Sequence, residues 1–566
     1  MNNIQEKYLK WLNSPKVSSK DKELLKNMSQ KEIDDAFFKD VEFGTAGMRG
    51  LLGPGTNRLN EFSIKKASIG FAKYILETYP NAKEDGIVIS HDNRHYSREF
   101  TLQTANIFNA FGIKAYIFDS LRPTPELSYA VRYKKAAGGV MITASHNPKE
   151  YNGYKVYDEQ GCQLVPGKIK RLLEIIDTLG EELELEEPHD ITRGETIVLG
   201  KDVDDTYVEL VESISLHPEL PKKGFKIVYT PQHGTSYVNA LRVFNDFGYE
   251  FYPVKEQCTF DPDFSATLSP NPEEEKAYIE PIKLAKEIGA HIVTMTDPDG
   301  DRCGLAVLHN GEYVLMSGNQ SAALLLDYIL KTRQEKGTLA KNGVMYNTIV
   351  TSSLGKDIAE HYGVKTEQFL TGFKFIGDQI HHYELLGDGP TFEFGYEESY
   401  GCLIAPFVRD KDGIQAILMY SEMALYYHLQ GKDLIEAYDD LEKRFGYHAD
   451  ITLNKSFPGM EGSQNMERIM NSFRANKILE FAHRKVVRVE DYLSSRGYEG
   501  DKEFELSLPK SNVIKMFFID KSTLTIRPSG TEPKIKFYIG AVADSHEKAN
   551  QVYLEIKAGL DEYMQK

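Results

Sequence analysis

Three aspartates at alternate positions, Asp297, Asp299 and Asp301, stand in the stretch HIVTMTDPDGDRCGLAV between two strand-like runs. Carboxylates this close repel one another, and a tight loop that gathers them suits a hard divalent cation such as Mg2+. A calcium EF-hand is excluded, since it needs Gly at the sixth loop position and Glu at the twelfth, which here are Arg302 and Leu308. A second reactive stretch, GGVMITASHNPKEYNGYKVY, carries Ser145 with His146, Asn147 and Pro148 to the end of an apolar strand. Open α/β sheets place their ligands at such strand ends. Ser-His-Asn-Pro equally suits a plain turn, and the adjacent serine and histidine lack the third orienting group of a hydrolase triad.

Two more loops carry chemistry of a weaker kind. In TFEFGYEESYGCLIAPFVRDKDG a strand-like run opens into a Gly-bounded loop with Glu397, Glu398 and Ser399, followed by Lys411 in a polar loop. Ionised Glu only accepts hydrogen bonds, which fits sugar hydroxyls; an exposed acidic turn is the alternative. In TIRPSGTEPKIKF the residues Arg527, Ser529, Gly530, Thr531 and Lys534 bring two cations, two hydroxyls and an unhindered backbone to one turn. That composition cradles phosphate, though a simple β-turn also accommodates it. Near the N-terminus VEFGTAGMRG offers a similar Gly-rich turn with Arg49.

The elements that must position these loops alternate. GIVISHD reads as a short strand, TLQTANIFNAFG as a helix and KAYIFDS as a second strand, before GGVMITAS leads into the serine turn. This is βαβ alternation and predicts a mixed or parallel sheet. The pattern restarts at FKIVYTPQHGTS and runs to AHIVTMTD; a third module begins at NQSAALLLDYILKTRQEK and ends at TFEFGYEESYG. After about residue 446, MFFIDKSTLTIRPSG and KIKFYIGAV read as strands of a smaller α+β unit. Four domains follow, at 1–206, 207–322, 323–446 and 447–566. A chain of 566 residues is indeed too long for one hydrophobic core.

Lys and Arg number 67 against 84 Asp and Glu, a net charge of −17. That balance disfavours nucleic acid and anionic lipid but leaves room for a local anion pocket. Four scattered cysteines form no C-x-x-C pair, so neither a disulfide framework nor a zinc site is expected and a reducing cytoplasm fits. No signal-like or membrane-spanning apolar run is read.

Taken together and in order, FGTAGMRG, TASHNP, DPDGDR, EESYG and RPSGTEP resemble the α-D-phosphohexomutase superfamily over nearly the whole chain. NPKEYNGYKVY and the Glu-Glu-Ser loop are most similar to its phosphoglucomutase and phosphopentomutase branch, in particular the bacterial α-phosphoglucomutases. The resemblance implies three similar mixed α/β domains plus a smaller C-terminal α+β domain around a central cleft. It implies that Ser145 is phosphorylated in the active enzyme, and that Asp297, Asp299 and Asp301 hold Mg2+ with a phosphoserine oxygen. Arg49, His146, Lys155, Arg302 and Lys411 match polar positions around the reacting phosphate and sugar. Glu397 and Ser399, with Thr371, Gly372 and Lys374 of FLTGFKFIG, match sugar contacts. Arg527, Ser529, Gly530 and Thr531 match the site of the phosphate that is not transferred. The implied reaction interconverts glucose 1-phosphate and glucose 6-phosphate through glucose 1,6-bisphosphate. The implied partners are small sugar phosphates, with the protein a monomer or weak dimer. Pentose or mannose phosphates, a catalytically silent sugar-phosphate sensor and a phosphatase remain alternatives at this point.

Overall fold

The structure is a computed structural model that describes residues 3–44, 47–186, 193–457, 459–475, 477–529 and 534–565. The chain divides into two compact units, Met1–Gly318 with Phe373–Gly431, and Asn319–Gly372 with Lys432–Lys566. In the first unit a seven-stranded sheet runs Phe43–Gly44, Gly47–Leu51, Tyr151–Tyr157, Gly138–Ile142, Ile87–His91, Ala115–Phe118, Thr196–Leu199. The last four strands are parallel neighbours, and Tyr151–Tyr157 pairs antiparallel on both sides. Ile87–His91 and Gly138–Ile142 are buried at every residue, as helix-covered parallel strands are. Their side chains join those of helices Glu61–Thr78 and Ser97–Ala110 in one core that includes Ile64, Phe71, Ile89, Phe108, Val140 and Ile142.

A five-stranded sheet in the same unit runs Glu312–Met316, Cys303–His309, Ile292–Thr296, Lys226–Thr230, Glu250–Pro253. Its central strand is parallel to Lys226–Thr230 and turns back antiparallel into Cys303–His309, so the aspartate loop is the tip of a hairpin. The unit is completed by the hairpin Thr391–Glu397 and Gly401–Leu403, and by helix Gly413–His428. That helix is buried from Gly413 through Leu425, and an apolar run without a polar face is what such burial requires. The Asp412 carboxylate caps it by accepting the N–H groups of Ile414 and Gln415.

The second unit holds the parallel pair Gly343–Thr348 and Lys365–Phe369. It also holds an antiparallel sheet in the order Tyr447–Ser456, Lys534–Ala543, Thr523–Pro528, Ile514–Phe518, Arg484–Asp491, Arg496–Glu499, Lys502–Glu505. Ile469 and Phe473 of helix Gly459–Ala475, and Ile556 and Leu560 of helix His546–Gln565, pack with its apolar residues Ile514, Leu524, Ile535 and Phe537. The sheet is larger than the strand pair legible in the sequence. Tyr447–Ser456 went unread although Tyr447, Ala449, Ile451 and Leu453 alternate with polar residues in the period of two that marks a strand. Among the described residues no helix is long and apolar enough to cross a membrane.

Candidate active site

The serine turn begins where Gly138–Ile142 ends. Ser145 is 3% exposed and has φ +52°, a left-handed conformation that costs a non-glycine residue about 1–2 kcal/mol. The turn is held open by a buried ion pair. Asp92 and Arg94, both with fully buried side chains, pair at 3.1 Å. The Arg94 guanidinium donates to four carbonyls of the turn, those of Ser145 (2.6 Å), Asn147 (2.5 Å), Pro148 (2.8 Å) and Tyr151 (3.0 Å). Thr143 Oγ1 donates to Asp92 at 2.7 Å and accepts the Ser145 N–H at 2.8 Å. Gly153 lets the neighbouring strand close on the turn, because a Cβ there would lie 2.4 Å from the Thr143 carbonyl oxygen. Sequence reasoning missed Asp92 and Arg94; the polar run HDNR directly after an apolar strand was the available signal.

Ser145 Oγ donates to Asp297 Oδ2 at 2.8 Å and lies 3.1 Å from His146 Nδ1. Asp297, Asp299 and Asp301 are all buried, and one carboxylate oxygen from each falls within 4.8 Å of the others. The hairpin tip that presents them turns at Gly300, φ +73°, where a Cβ would lie 2.3 Å from Ser236 Oγ. Each carboxylate is oriented from behind. Asp299 Oδ2 accepts Lys155 Nζ at 2.6 Å and Thr124 Oγ1 at 3.2 Å. Asp301 Oδ2 lies 3.1 Å from Lys411 Nζ, and Asp297 Oδ1 accepts the Arg302 N–H at 3.1 Å. That leaves Asp299 Oδ1 and Asp301 Oδ1 buried with no hydrogen-bond donor, which is costly unless a cation meets them. All-oxygen donors and two orphaned buried oxygens fit a hard divalent metal.

The electrostatics agree with that fit. Burial, and then the fields of Asp299 and Asp301, push the Asp297 carboxyl well above its ordinary range. Burial also works against ionisation of Asp299, yet Lys155, a hydrogen bond with Asp297, and Lys411 hold its carboxyl below the usual range. Burial lowers the Lys411 amine less than Asp301, Asp410 and Glu397 raise it, so its charge is secured. His146 is shifted the other way: desolvation, Arg302 and Arg49 hold its imidazole well below the usual histidine value. The imidazole beside the serine oxygen is therefore neutral.

Two positions sit differently from the sequence reading. Arg49 lies on strand Gly47–Leu51, opposite Gly153, rather than in a Gly-rich turn, and donates to Asn147 Oδ1 at 3.1 Å. Glu397 is the last residue of strand Thr391–Glu397, paired with Gly401, and is 5% exposed, so it is no solvated acidic turn. Its field raises Arg302, Lys411 and Lys374, which puts it with the same group of cations; Ser399 follows in the hairpin turn. Lys374 begins helix Lys374–Leu386 and is buried.

Thr371, Gly372, Arg527 and Ser529 belong to the second unit. Arg527 lies on strand Thr523–Pro528 and donates to Tyr538 Oη at 3.1 Å, while its Nε is buried without a partner among the described residues. An unspent guanidinium donor suits an anion. Gly530 and Thr531 lie outside the described residues.

A buried serine hydroxyl on a carboxylate cluster, with lysine and arginine around it at the ends of α/β strands, is equipped for metal-assisted phosphoryl transfer. Family models for phosphoglucomutase/phosphomannomutase match the chain four times. They correspond to alpha/beta/alpha domain I at 40–183, domain II at 205–311, domain III at 317–445 and the C-terminal domain at 471–557. The chain belongs to the phosphoglucomutase/phosphomannomutase family of the α-D-phosphohexomutases, with its four-domain α/β architecture, and is an enzyme of the phosphohexomutase type acting on sugar phosphates. It is similar to a phosphoglucomutase of Staphylococcus epidermidis, 38% identical over 92% of this chain and 94% of that one. A phosphoglucomutase of Staphylococcus aureus is 37% identical over 92% of each chain. The fold is shared with a putative phosphomannomutase from Thermus thermophilus, at TM-score 0.67 and 21% identity over 92% of this chain and 99% of that one. It is shared too with the phosphoglucomutase parafusin from Paramecium, at TM-score 0.66 and 19% identity over 92% and 94%.

Proposed function

We propose that this chain is a Mg2+-dependent phosphoglucomutase that interconverts α-D-glucose 1-phosphate and D-glucose 6-phosphate through a phosphoserine at Ser145 and glucose 1,6-bisphosphate. One observation carries the reading: Ser145 Oγ touches Asp297 while Asp299 Oδ1 and Asp301 Oδ1 stay buried and unpaired. The choice of glucose is supported by the relatives that are at least 37% identical and bear the phosphoglucomutase name. The four-part division at 1–206, 207–322, 323–446 and 447–566 belongs to the same reading, as does a cytoplasmic monomer or weak dimer.

In this mechanism Asp297, Asp299, Asp301 and an oxygen of phosphorylated Ser145 would hold the Mg2+. When bound, the ion supplies positive charge at the oxygens of the transferring phosphoryl group. Arg49, Lys155, Arg302 and Lys411 add fixed cationic charge around the same group. Arg527, Ser529, Gly530 and Thr531 bind the phosphate that stays on the sugar, and Glu397, Ser399, Thr371, Gly372 and Lys374 bind the sugar. The free sugar hydroxyl attacks phosphorus, forming a sugar oxygen–phosphorus bond as the bond to Ser145 Oγ breaks. The proton lost by the sugar hydroxyl ends on the freed Ser145 Oγ, relayed by His146, whose Nδ1 lies 3.1 Å from that oxygen, and it travels back the same way in the return transfer. The bisphosphate turns end for end, and Ser145 Oγ takes back the other phosphate. Turnover of glucose 1-phosphate, ribose 1-phosphate and mannose 1-phosphate tests the assignment. The glucose ester should have the highest kcat/KM; a pentose or mannose preference would overturn the choice of sugar.

A pH profile gives a second check. Burial lowers the Lys374 amine to about 8, despite Cys162 and Glu397 acting to raise it. Its positive charge is thus present below about pH 8 and lost above it. The kcat/KM for glucose 1-phosphate, which reports groups of the free enzyme, is expected to fall as pH rises through that value. In Lys374→Gln the limb near pH 8 should be absent and kcat/KM low throughout. An unchanged alkaline limb in that variant would remove Lys374 from the substrate contacts.

A further inference from the structure

We infer that Asp439, Glu442 and His546 form a second cation site, suited to a borderline divalent metal of the Zn2+ class and separate from the aspartate cluster. All three lie in the second unit. Asp439 and Glu442 are three residues apart on helix Leu434–Phe445, a spacing that puts both on one face. His546 is the first residue of helix His546–Gln565. The two come together because the chain turns at Gly446, φ +94°, into strand Tyr447–Ser456, whose Tyr447 pairs with Ala543 just ahead of that last helix. His546 Nε2 lies 3.3 Å from Glu442 Oε2 and 3.6 Å from Asp439 Oδ1, and one ligand atom of each residue lies within 4.8 Å of the others.

A second observation separates this group from an ordinary surface cluster. Glu442 is 0% exposed, and its Oε1 accepts the His448 N–H at 2.9 Å. Its Oε2 is buried without a hydrogen-bond donor and faces His546. A buried carboxylate oxygen left unpaired is costly. The imidazole Nε2 lies 3.3 Å from that oxygen without directing an N–H at it, whereas a cation held between the two satisfies the oxygen with the ring neutral, the form in which histidine binds metals. The Tyr447 ring meets the imidazole edge to face at 4.6 Å between centroids, which restrains its orientation while leaving Nε2 toward the carboxylates. One imidazole nitrogen with two carboxylates is a donor set that Zn2+ accepts and that Mg2+, which prefers oxygen alone, does not need. Asp439 and His546 are partly exposed, so an ion has an entry path. Occupancy would tie the last helix of family domain III to the first turn of the final helix, across the bend at Gly446.

The test is Zn2+ titration of the tag-free full-length protein in excess Mg2+, which keeps the aspartate cluster filled, read by competition with a chromophoric chelator. One Zn2+ should bind per chain. His546→Ala and Asp439→Asn, both at partly exposed positions, should each weaken that event at least about ten-fold, with unchanged circular dichroism and unchanged turnover in Mg2+ alone. Zn2+ should raise the Tm of the wild type and not that of His546→Ala. Equal Zn2+ binding by the wild type and His546→Ala, or no saturable binding by the wild type, would overturn the site and leave the trio an ion pair.

Discussion

Ser145→Ala is expected to lower mutase turnover by at least about four orders of magnitude, because the variant has no oxygen to carry the phosphoryl group between substrates. The loss is chemical rather than structural. The hydrogen bonds that shape the turn run from Arg94 to the Ser145 carbonyl and from the Ser145 N–H to Thr143, and both survive removal of the hydroxyl. One structural effect needs separating, since an alanine at φ +52° is strained much as the serine is. Ser145→Gly removes the same hydroxyl and relaxes that backbone. Both variants should be inactive, stay folded by circular dichroism and bind glucose 1-phosphate with affinity close to that of the unphosphorylated wild type. Turnover in either variant within ten-fold of wild type would place the phosphoryl carrier elsewhere.

Asp299→Asn should weaken metal binding and cut turnover roughly a hundred-fold or more. The substitution keeps the shape of the side chain but removes the charge that faces Lys155 at 2.6 Å, and replaces one oxygen by an amide that is a poor ligand for a hard cation. It also leaves the buried Lys155 amine short of its main counter-charge, so part of the defect is electrostatic and should persist at saturating Mg2+. The expected pattern is a raised Mg2+ requirement together with a lowered maximal rate. Chelator treatment of the wild type should mimic the loss, and Mg2+ should restore it. Full activity of the chelated wild type would show that the carboxylates serve another purpose.

What the sequence revealed depended on how local each contact is. The aspartate loop was legible because its three ligands lie within five residues and a hairpin alone presents them, and Ser145 because an apolar strand runs straight into its turn. Asp92 and Arg94 were not, since their work is done about fifty residues away along the chain, on the carbonyls of the neighbouring strand's turn. Arg49 shows a related limit. The glycines around it favour a turn, yet pairing with Tyr151–Tyr157 across the sheet makes a strand of Gly47–Leu51, a tertiary decision that local preference cannot register. Glu397 was read as part of an open loop because Gly, Glu and Ser cluster there. The hairpin is tighter than that composition suggests, so Glu397 remains in the strand and is buried. For the last sheet the strands Ile514–Phe518, Thr523–Pro528 and Lys534–Ala543 were visible, while Tyr447–Ser456, the charged inner strand Arg484–Asp491 and the polar strands Arg496–Glu499 and Lys502–Glu505 were not.

The central claim is that Ser145 passes its phosphoryl group to a sugar and not to water. The most direct measurement labels the enzyme with 32P at Ser145, confirms the label on the peptide containing that residue, and adds unlabelled glucose 1-phosphate for a single turnover. The label should leave the protein and appear first in glucose 1,6-bisphosphate and then in glucose 6-phosphate, with little free phosphate. Label released mainly as inorganic phosphate, or retained on the protein in the presence of substrate, would contradict it.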